Sequence, residues 1–183
     1  MVDLFFTGSN HLTGNRIDAL HKHPVYGFAF SLVAKKVDCR LKIIGDGESM
    51  ELLKALTKSL GIADKVTFTG AVPNKSLPEH LDWAHIMLHS SLYEGQGVVL
   101  AEAAACGVVV CGTNVGLIAD WGNECCKPVA CGDYEAMANE VLGLINNPGE
   151  YQLLQQNAFC WATENTASNM ASSFEKIYNS FLK

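Results

Sequence analysis

His85-Ile86-Met87-Leu88-His89-Ser90-Ser91-Leu92-Tyr93-Glu94-Gly95-Gln96-Gly97-Val98-Val99-Leu100-Ala101-Glu102-Ala103-Ala104-Ala105-Cys106-Gly107 is the stretch whose reading decides the fold. Its first four residues form a short β run. Gly95 and Gly97 then open the backbone, and from Val98 onward small residues follow a helical pattern. The same strand-then-helix order recurs along the chain. Leu4-Phe5-Phe6, Leu41-Lys42-Ile43-Ile44, Val66-Thr67-Phe68, Val108-Val109-Val110 and Lys127-Pro128-Val129 read as further strands. Glu48 to Leu60 places Leu52, Leu53, Leu56 and Leu60 on one helical face, and Tyr134 to Ile145 does so with Met137, Val141, Leu142 and Ile145.

This alternation predicts an α/β fold, a single Rossmann-like doubly wound parallel sheet of about six strands with helices on both faces. Ligands of such sheets bind beyond the carboxyl ends of the strands, and Glu94 follows one of those ends. After Val129 only helical patterns remain, over Asp133 to Asn146, Glu150 to about Ala162 and Ala167 to Leu182, with Asn147-Pro148-Gly149 dividing the first two. They form a helical C-terminal tail that packs on its own sheet or reaches toward a neighbour. No repeat, linker or low-complexity tract divides residues 1–183, so one domain is expected.

Glu94 and Glu102, with seven residues between them, place carboxylates in an otherwise apolar segment. An ionised group taken out of water without partners costs several kcal/mol. Glu102 is therefore expected to meet hydrogen-bond donors, such as a pair of ligand hydroxyls. It does not fit a capping-box glutamate, because Val99 stands where the cap would be and a helix starting near Gln96 puts Glu102 in its second turn. Gly95 and Gly97 let the backbone approach a ligand and leave free amides at the helix N-terminus, where an anion is favoured.

Composition narrows the function classes. A net charge of −6 argues against non-specific nucleic-acid binding, which relies on Lys and Arg to neutralise phosphates. The apolar run from Val98 to Gly112 is interrupted by Glu102 and is shorter than the ~20 residues needed to span a bilayer. The N-terminal Met1-Val2-Asp3-Leu4-Phe5-Phe6 lacks the basic region of a signal peptide, so a cytoplasmic location is expected. Seven cysteines are read as reduced thiols, with Cys39, Cys106 and Cys111 in apolar contexts. Cys125, Cys126 and Cys131 contain no Cys-x-x-Cys pair, and His21 and His23 bracket Lys22 as a surface loop would, so no metal site is expected.

The segment from Ser90 to Gly107 resembles the Glu-x7-Glu motif and glycine loop of family-four retaining glycosyltransferases, which have the two-domain GT-B architecture. The resemblance runs from about Asp38 to the C-terminus. Weaker support comes from Arg40 to Gly47, Val66 to Pro73 and Val110 to Gly116. It implies the nucleotide-sugar-binding, C-terminal half of such an enzyme, with a nucleoside diphosphate sugar as substrate, no cofactor and no metal. Glu94, as catalytic residue, would hold the donor sugar with the backbone of Gly95, Gln96 and Gly97. The Val98 and Val99 amides would meet the diphosphate, Glu102 the ribose hydroxyls and the Val72 backbone the base.

Two features depart from the family pattern. The loop after the first strand, Ser9 to Tyr26, lacks the expected basic pair and offers only Arg16 and Lys22 to the diphosphate. The acceptor-binding N-terminal domain of such an enzyme is not among these 183 residues, so the chain reads as a fragment or as one subunit of a split transferase, with the membrane surface left open for the full-length enzyme. His89, ending the strand before the motif, is a candidate to point into the cleft, against the plainer reading of a histidine hydrogen-bonded to its own scaffold. The alternatives are half of a nucleotide-sugar epimerase, a non-catalytic nucleotide-sugar-binding module, and a dinucleotide-binding oxidoreductase. The last is disfavoured because Gly45-Asp46-Gly47 is followed by Met50 where the fingerprint needs Gly.

Overall fold

The computed structural model of the chain describes residues 1–7, 25–95 and 97–181. Six strands, β1 (Val2–Thr7), β2 (Cys39–Ile44), β3 (Val66–Gly70), β4 (Ile86–His89), β5 (Val109–Thr113) and β6 (Cys126–Val129), form one sheet in the order β3-β2-β1-β4-β5-β6. Every neighbouring pair is parallel. All six sequence-predicted strands are present, within one or two residues at most ends.

The helices are α1 (Val25–Ala34), α2 (Met50–Ser59), α3 (Leu77–Leu81), α4 (Val98–Ala105), α5 (Leu117–Cys125), α6 (Tyr134–Asn146), α7 (Pro148–Glu164) and α8 (Ala167–Phe181). Successive strand residues point to opposite faces, and this divides the core in two. Leu4 and Phe6 of β1, with Ile86 and Leu88 of β4, meet Phe30 of α1, Leu53 of α2 and Val141 of α6. Phe5, Met87 and Val110 face the other way, onto Leu81 of α3, Leu100 and Ala103 of α4, Ile118 of α5 and Ala158 of α7. Burying each large side chain contributes about 1.5–3 kcal/mol, and both faces of the central strands contribute at once.

Two helical expectations are corrected. On α2 the buried residues are Met50, Leu53 and Thr57, while Leu52 is 63% exposed. Of the expected Leu52, Leu53, Leu56 and Leu60 face, Leu53 is buried, Leu56 lies against Gly27 of α1 and Leu60 packs at the edge of the core, so it is Leu52 that falls off the buried side. The Ser9 to Tyr26 loop also ends earlier than expected, because Val25 and Tyr26 already belong to α1, where Tyr26 stacks on Phe6 with ring centroids 3.7 Å apart.

The chain runs outward from β1 through β2 to β3, then returns to the other side of β1 as β4. The strand order therefore reverses between β1 and β4, and the carboxyl ends of these two strands border the crevice where such sheets bind ligands. The tail α7 packs across α4 and α5: Gln155 donates to the Gly107 carbonyl at 2.7 Å, and Trp121 and Trp161 meet edge to face at 5.1 Å. Among the described residues, no helix is long and apolar enough to cross a membrane.

Candidate functional site

β4 ends at His89 beside the point where the strand order reverses, and the loop from Ser90 to Gly97 leads from it into α4. The helix starts later than a Gln96 start would give, at Val98, with Gly97 as its cap in the left-handed conformation (φ 60°). A residue with a Cβ is strained there. The Leu100 and Ala101 amides both donate to the Gly97 carbonyl, at 2.8 and 3.2 Å. The amides of Val98 and Val99 are left without an intrahelical acceptor, as the first amides of any helix are. They carry the positive end of the helix at the carboxyl edge of the sheet.

Glu94 is not a solvated loop residue. It is 8% exposed, and its Oε1 accepts a hydrogen bond from the Gly97 amide at 3.2 Å. Its Oε2 lies 3.3 Å from Nε2 of His89, whose side chain is fully buried. The two atoms are close enough for an ion pair, yet their alignment is not that of a hydrogen bond, so Oε2 and both ring nitrogens of His89 have no hydrogen-bond partner among the described residues. The His89 ring thus faces Glu94 of its own scaffold and is closed off from solvent. A buried polar atom without a partner costs roughly 1–3 kcal/mol. Ser90 Oγ, next in the chain, is a further such atom.

Burial alone would push the Glu94 carboxyl upward, but His89 and the Gly97 and Gly95 amides outweigh it and hold the group below its ordinary value. Glu102 behaves in the opposite way. It sits on the exposed side of the second turn of α4, and the partial loss of water around it holds its carboxyl above the ordinary value. The hydrogen-bond donors expected for it are not found among the described residues. The two carboxylates of the motif thus differ: one is supplied with donors by the protein, and one has none.

The loop is held in place from β5. A Cβ built on Gly112 would lie 2.6 Å from the His89 carbonyl oxygen and 2.8 Å from its Cβ, and one on Gly116 would lie 2.7 Å from the Glu94 carbonyl oxygen. Thr113, between them, donates its hydroxyl to the Ser91 carbonyl. Sequence reasoning quoted Val110 to Gly116 only as a minor match and missed this support; the spacing of Gly112 and Gly116 was the available signal. Val72 lies partly buried just after β3, at the same edge of the sheet, and Gly45 at the end of β2 donates to the Gly70 carbonyl at 2.9 Å. Arg16, Lys22 and Gln96, with His21 and His23, lie outside the described residues. Cys39, Cys111 and Cys126 are buried free thiols, Cys106 and Cys125 are half-buried, and Cys131 is exposed.

A family model described as glycosyl transferases group 1 matches residues 16–147. The chain belongs to this family. Its relatives include the N-acetyl-alpha-D-glucosaminyl L-malate synthase of Bacillus anthracis, 32% identical over 162 residues, a match covering 85% of this chain and 41% of that protein. The GDP-mannose-dependent alpha-(1-6)-phosphatidylinositol monomannoside mannosyltransferase of Mycobacterium tuberculosis is 36% identical over 96 residues, 48% of this chain and 25% of that one. This group 1 glycosyl transferase chain thus spans less than half the length of the relatives it matches.

Among solved structures, the C-terminal domain of a group 1 family glycosyl transferase (LpcC) from Francisella tularensis matches with a TM-score of 0.77 at 20% identity, covering 90% of this chain and 85% of that one. HepE of Anabaena, in complex with UDP and glucose, matches with a TM-score of 0.81 at 16% identity, covering 97% of this chain and 48% of that one. At these identities the likeness is one of fold.

Proposed function

We propose that the chain binds the nucleoside diphosphate sugar donor of a glycosyltransferase that transfers the sugar with retention of anomeric configuration. The observation that carries the reading is the loop after β4, where a buried carboxylate, Glu94, stands beside two helix amides without an intrahelical acceptor, Val98 and Val99, at the reversal of strand order. A diphosphate is the anion that helix amides favour, and a sugar ring offers hydroxyl donors to a carboxylate.

In this arrangement the diphosphate lies on the Val98 and Val99 amides, which meet the negative charge that grows on the leaving group as the sugar departs. Glu94 accepts hydroxyl protons of the transferred sugar, with the backbone of Gly95, Gln96 and Gly97 lining the same side. Glu102 accepts the ribose hydroxyls, which supply the donors its carboxylate lacks. The Val72 backbone meets the base, and Arg16 and Lys22 are the basic candidates for the diphosphate. No metal is required, since the amides and any nearby cation meet the leaving-group charge. The relatives' names specify GDP-mannose in one case, and a structural neighbour holds UDP, so both bases belong in the test. Calorimetric titration of the 183-residue chain with UDP- and GDP-sugars should give saturable binding of at least one, whereas no binding of any member would count against the proposal.

A further inference from the structure

The buried face of Glu94 meets one titratable side chain among the described residues, His89. We propose that His89 is a positioning residue for Glu94, its Nε2–H holding carboxylate oxygen Oε2 so that the carboxylate presents one fixed geometry to the donor sugar. The proposal rests on the donor-binding reading for what Glu94 does, and on geometry alone for the pairing.

Three observations carry the pairing. The side chains of His89 and Glu94 are both more than nine-tenths buried, so water does not solvate the atoms that face each other. Nε2 and Oε2 are 3.3 Å apart and neither has another partner among the described residues. A small rotation of the ring or the carboxylate converts the contact into a charge-assisted hydrogen bond and satisfies two orphaned atoms at once. Both residues are also fixed from outside, because Gly112 packs directly on the backbone and Cβ of His89 and Gly116 on those of Glu94. A side chain whose backbone is clamped in this way can set the orientation of its neighbour.

The division of labour on Glu94 follows. Oε1 is held by the Gly97 amide and Oε2 by His89. Oε2 is itself shut off from solvent, so the acceptor left for ligand hydroxyls is the second lone pair of Oε1. Removing the imidazole N–H frees the carboxylate to rotate and leaves its buried oxygen unpaired.

The test compares His89→Phe, which keeps the volume of the ring without an N–H, with His89→Gln, whose amide can place a donor near the position of Nε2. The Glu94 carboxyl is followed by carbon-13 NMR across pH in the 183-residue chain without ligand. The expected result is a rise of the Glu94 titration midpoint in His89→Phe and its return toward the wild-type midpoint in His89→Gln. An unmoved midpoint in His89→Phe overturns the proposal. Should His89→Phe fail to fold, His89→Asn makes the same comparison, because its shorter amide does not reach Oε2. Titrations with UDP-glucose, GDP-mannose, UDP and GDP add a second readout: His89→Phe should lose the gain in affinity due to the sugar and His89→Gln should keep it. A raised midpoint in a chain that binds none of the four supports the pairing and counts against the donor-binding reading alone.

Discussion

Gly116 stands against Glu94 so closely that a Cβ at position 116 would lie 2.7 Å from the Glu94 carbonyl oxygen and 2.9 Å from its Cβ. Gly116 also has φ 51°, where a side chain is strained whatever the space around it. The loop after β5 and the loop after β4 are therefore fitted to each other, and the position of Glu94 depends on both.

Gly116→Ala should destabilise the fold by roughly 1–3 kcal/mol, combining backbone strain with overpacking, and should weaken nucleotide-sugar binding by displacing Glu94. Gly61 provides the control, since it has φ 69° with nothing within 4 Å of an added Cβ. Gly61→Ala should cost less and leave binding unchanged. Urea denaturation and calorimetry measure the two effects, and equal losses in both variants would show that the contact with Glu94 contributes nothing.

The Glu94 carboxyl is held below its ordinary value in the folded chain. A carboxyl lowered by folding stabilises the protein at pH values above its unfolded value, and that contribution is lost as pH falls through the folded one. Wild type should therefore exceed Glu94→Gln in stability at neutral pH, and the difference should shrink as pH drops below the ordinary carboxylate value of about 4.3. Urea midpoints measured from pH 7 downward check this. A difference that does not change with pH would mean that the charge of Glu94 is not involved.

For Glu102 the sign is reversed. Partial loss of water raises its carboxyl although the side chain is exposed on α4, so the ionised form is the costlier one by an amount that solvent keeps small, and that cost disappears once the group is protonated. Glu102→Ala, in a helix already rich in alanine, should raise the melting temperature at pH 7, with the gain narrowing as pH falls through the raised value. A lower melting temperature at pH 7 would mean that Glu102 serves the fold.

Transfer should be poor for the 183 residues alone, although donor binding should persist. The chain covers 41% of its synthase relative, and holding donor and acceptor together can account for about 7–11 kcal/mol of barrier lowering. Product analysis with a UDP- or GDP-sugar and a small hydroxyl acceptor makes the check, and robust transfer by the purified chain would refute the expectation.

Six strands were legible because each is a short apolar run ended by polar or glycine residues, and a sheet buried on both faces requires such runs. Helix α1 was not legible. Val25, Tyr26, Gly27, Ala29, Phe30 and Val33 are all buried, so the helix is apolar nearly all round and shows no stripe of period 3.6. The exposed Leu52 misled for a related reason: adjacent Leu52 and Leu53 both fit a stripe that continues through Leu56, and only packing against α1 and the sheet selects Leu53. At the site, the spacing of Glu94 and Glu102 was read directly. The pairing of His89 with Glu94 was not, because it depends on a loop folding back across five residues and on the clamp from Gly112 and Gly116, which are distant in sequence.

The central claim is that Glu94 meets the sugar and Glu102 the ribose of one nucleoside diphosphate sugar. Calorimetric titration of wild type, Glu94→Ala and Glu102→Ala with the bound nucleotide sugar and its free nucleoside diphosphate tests it most directly. Glu102→Ala should weaken both ligands, and Glu94→Ala should weaken mainly the nucleotide sugar. Each loss should be on the order of 1.5–3 kcal/mol, the range for hydrogen bonds to a charged group. Equal loss of both ligands in both variants, or no loss in Glu102→Ala, would contradict the assignment.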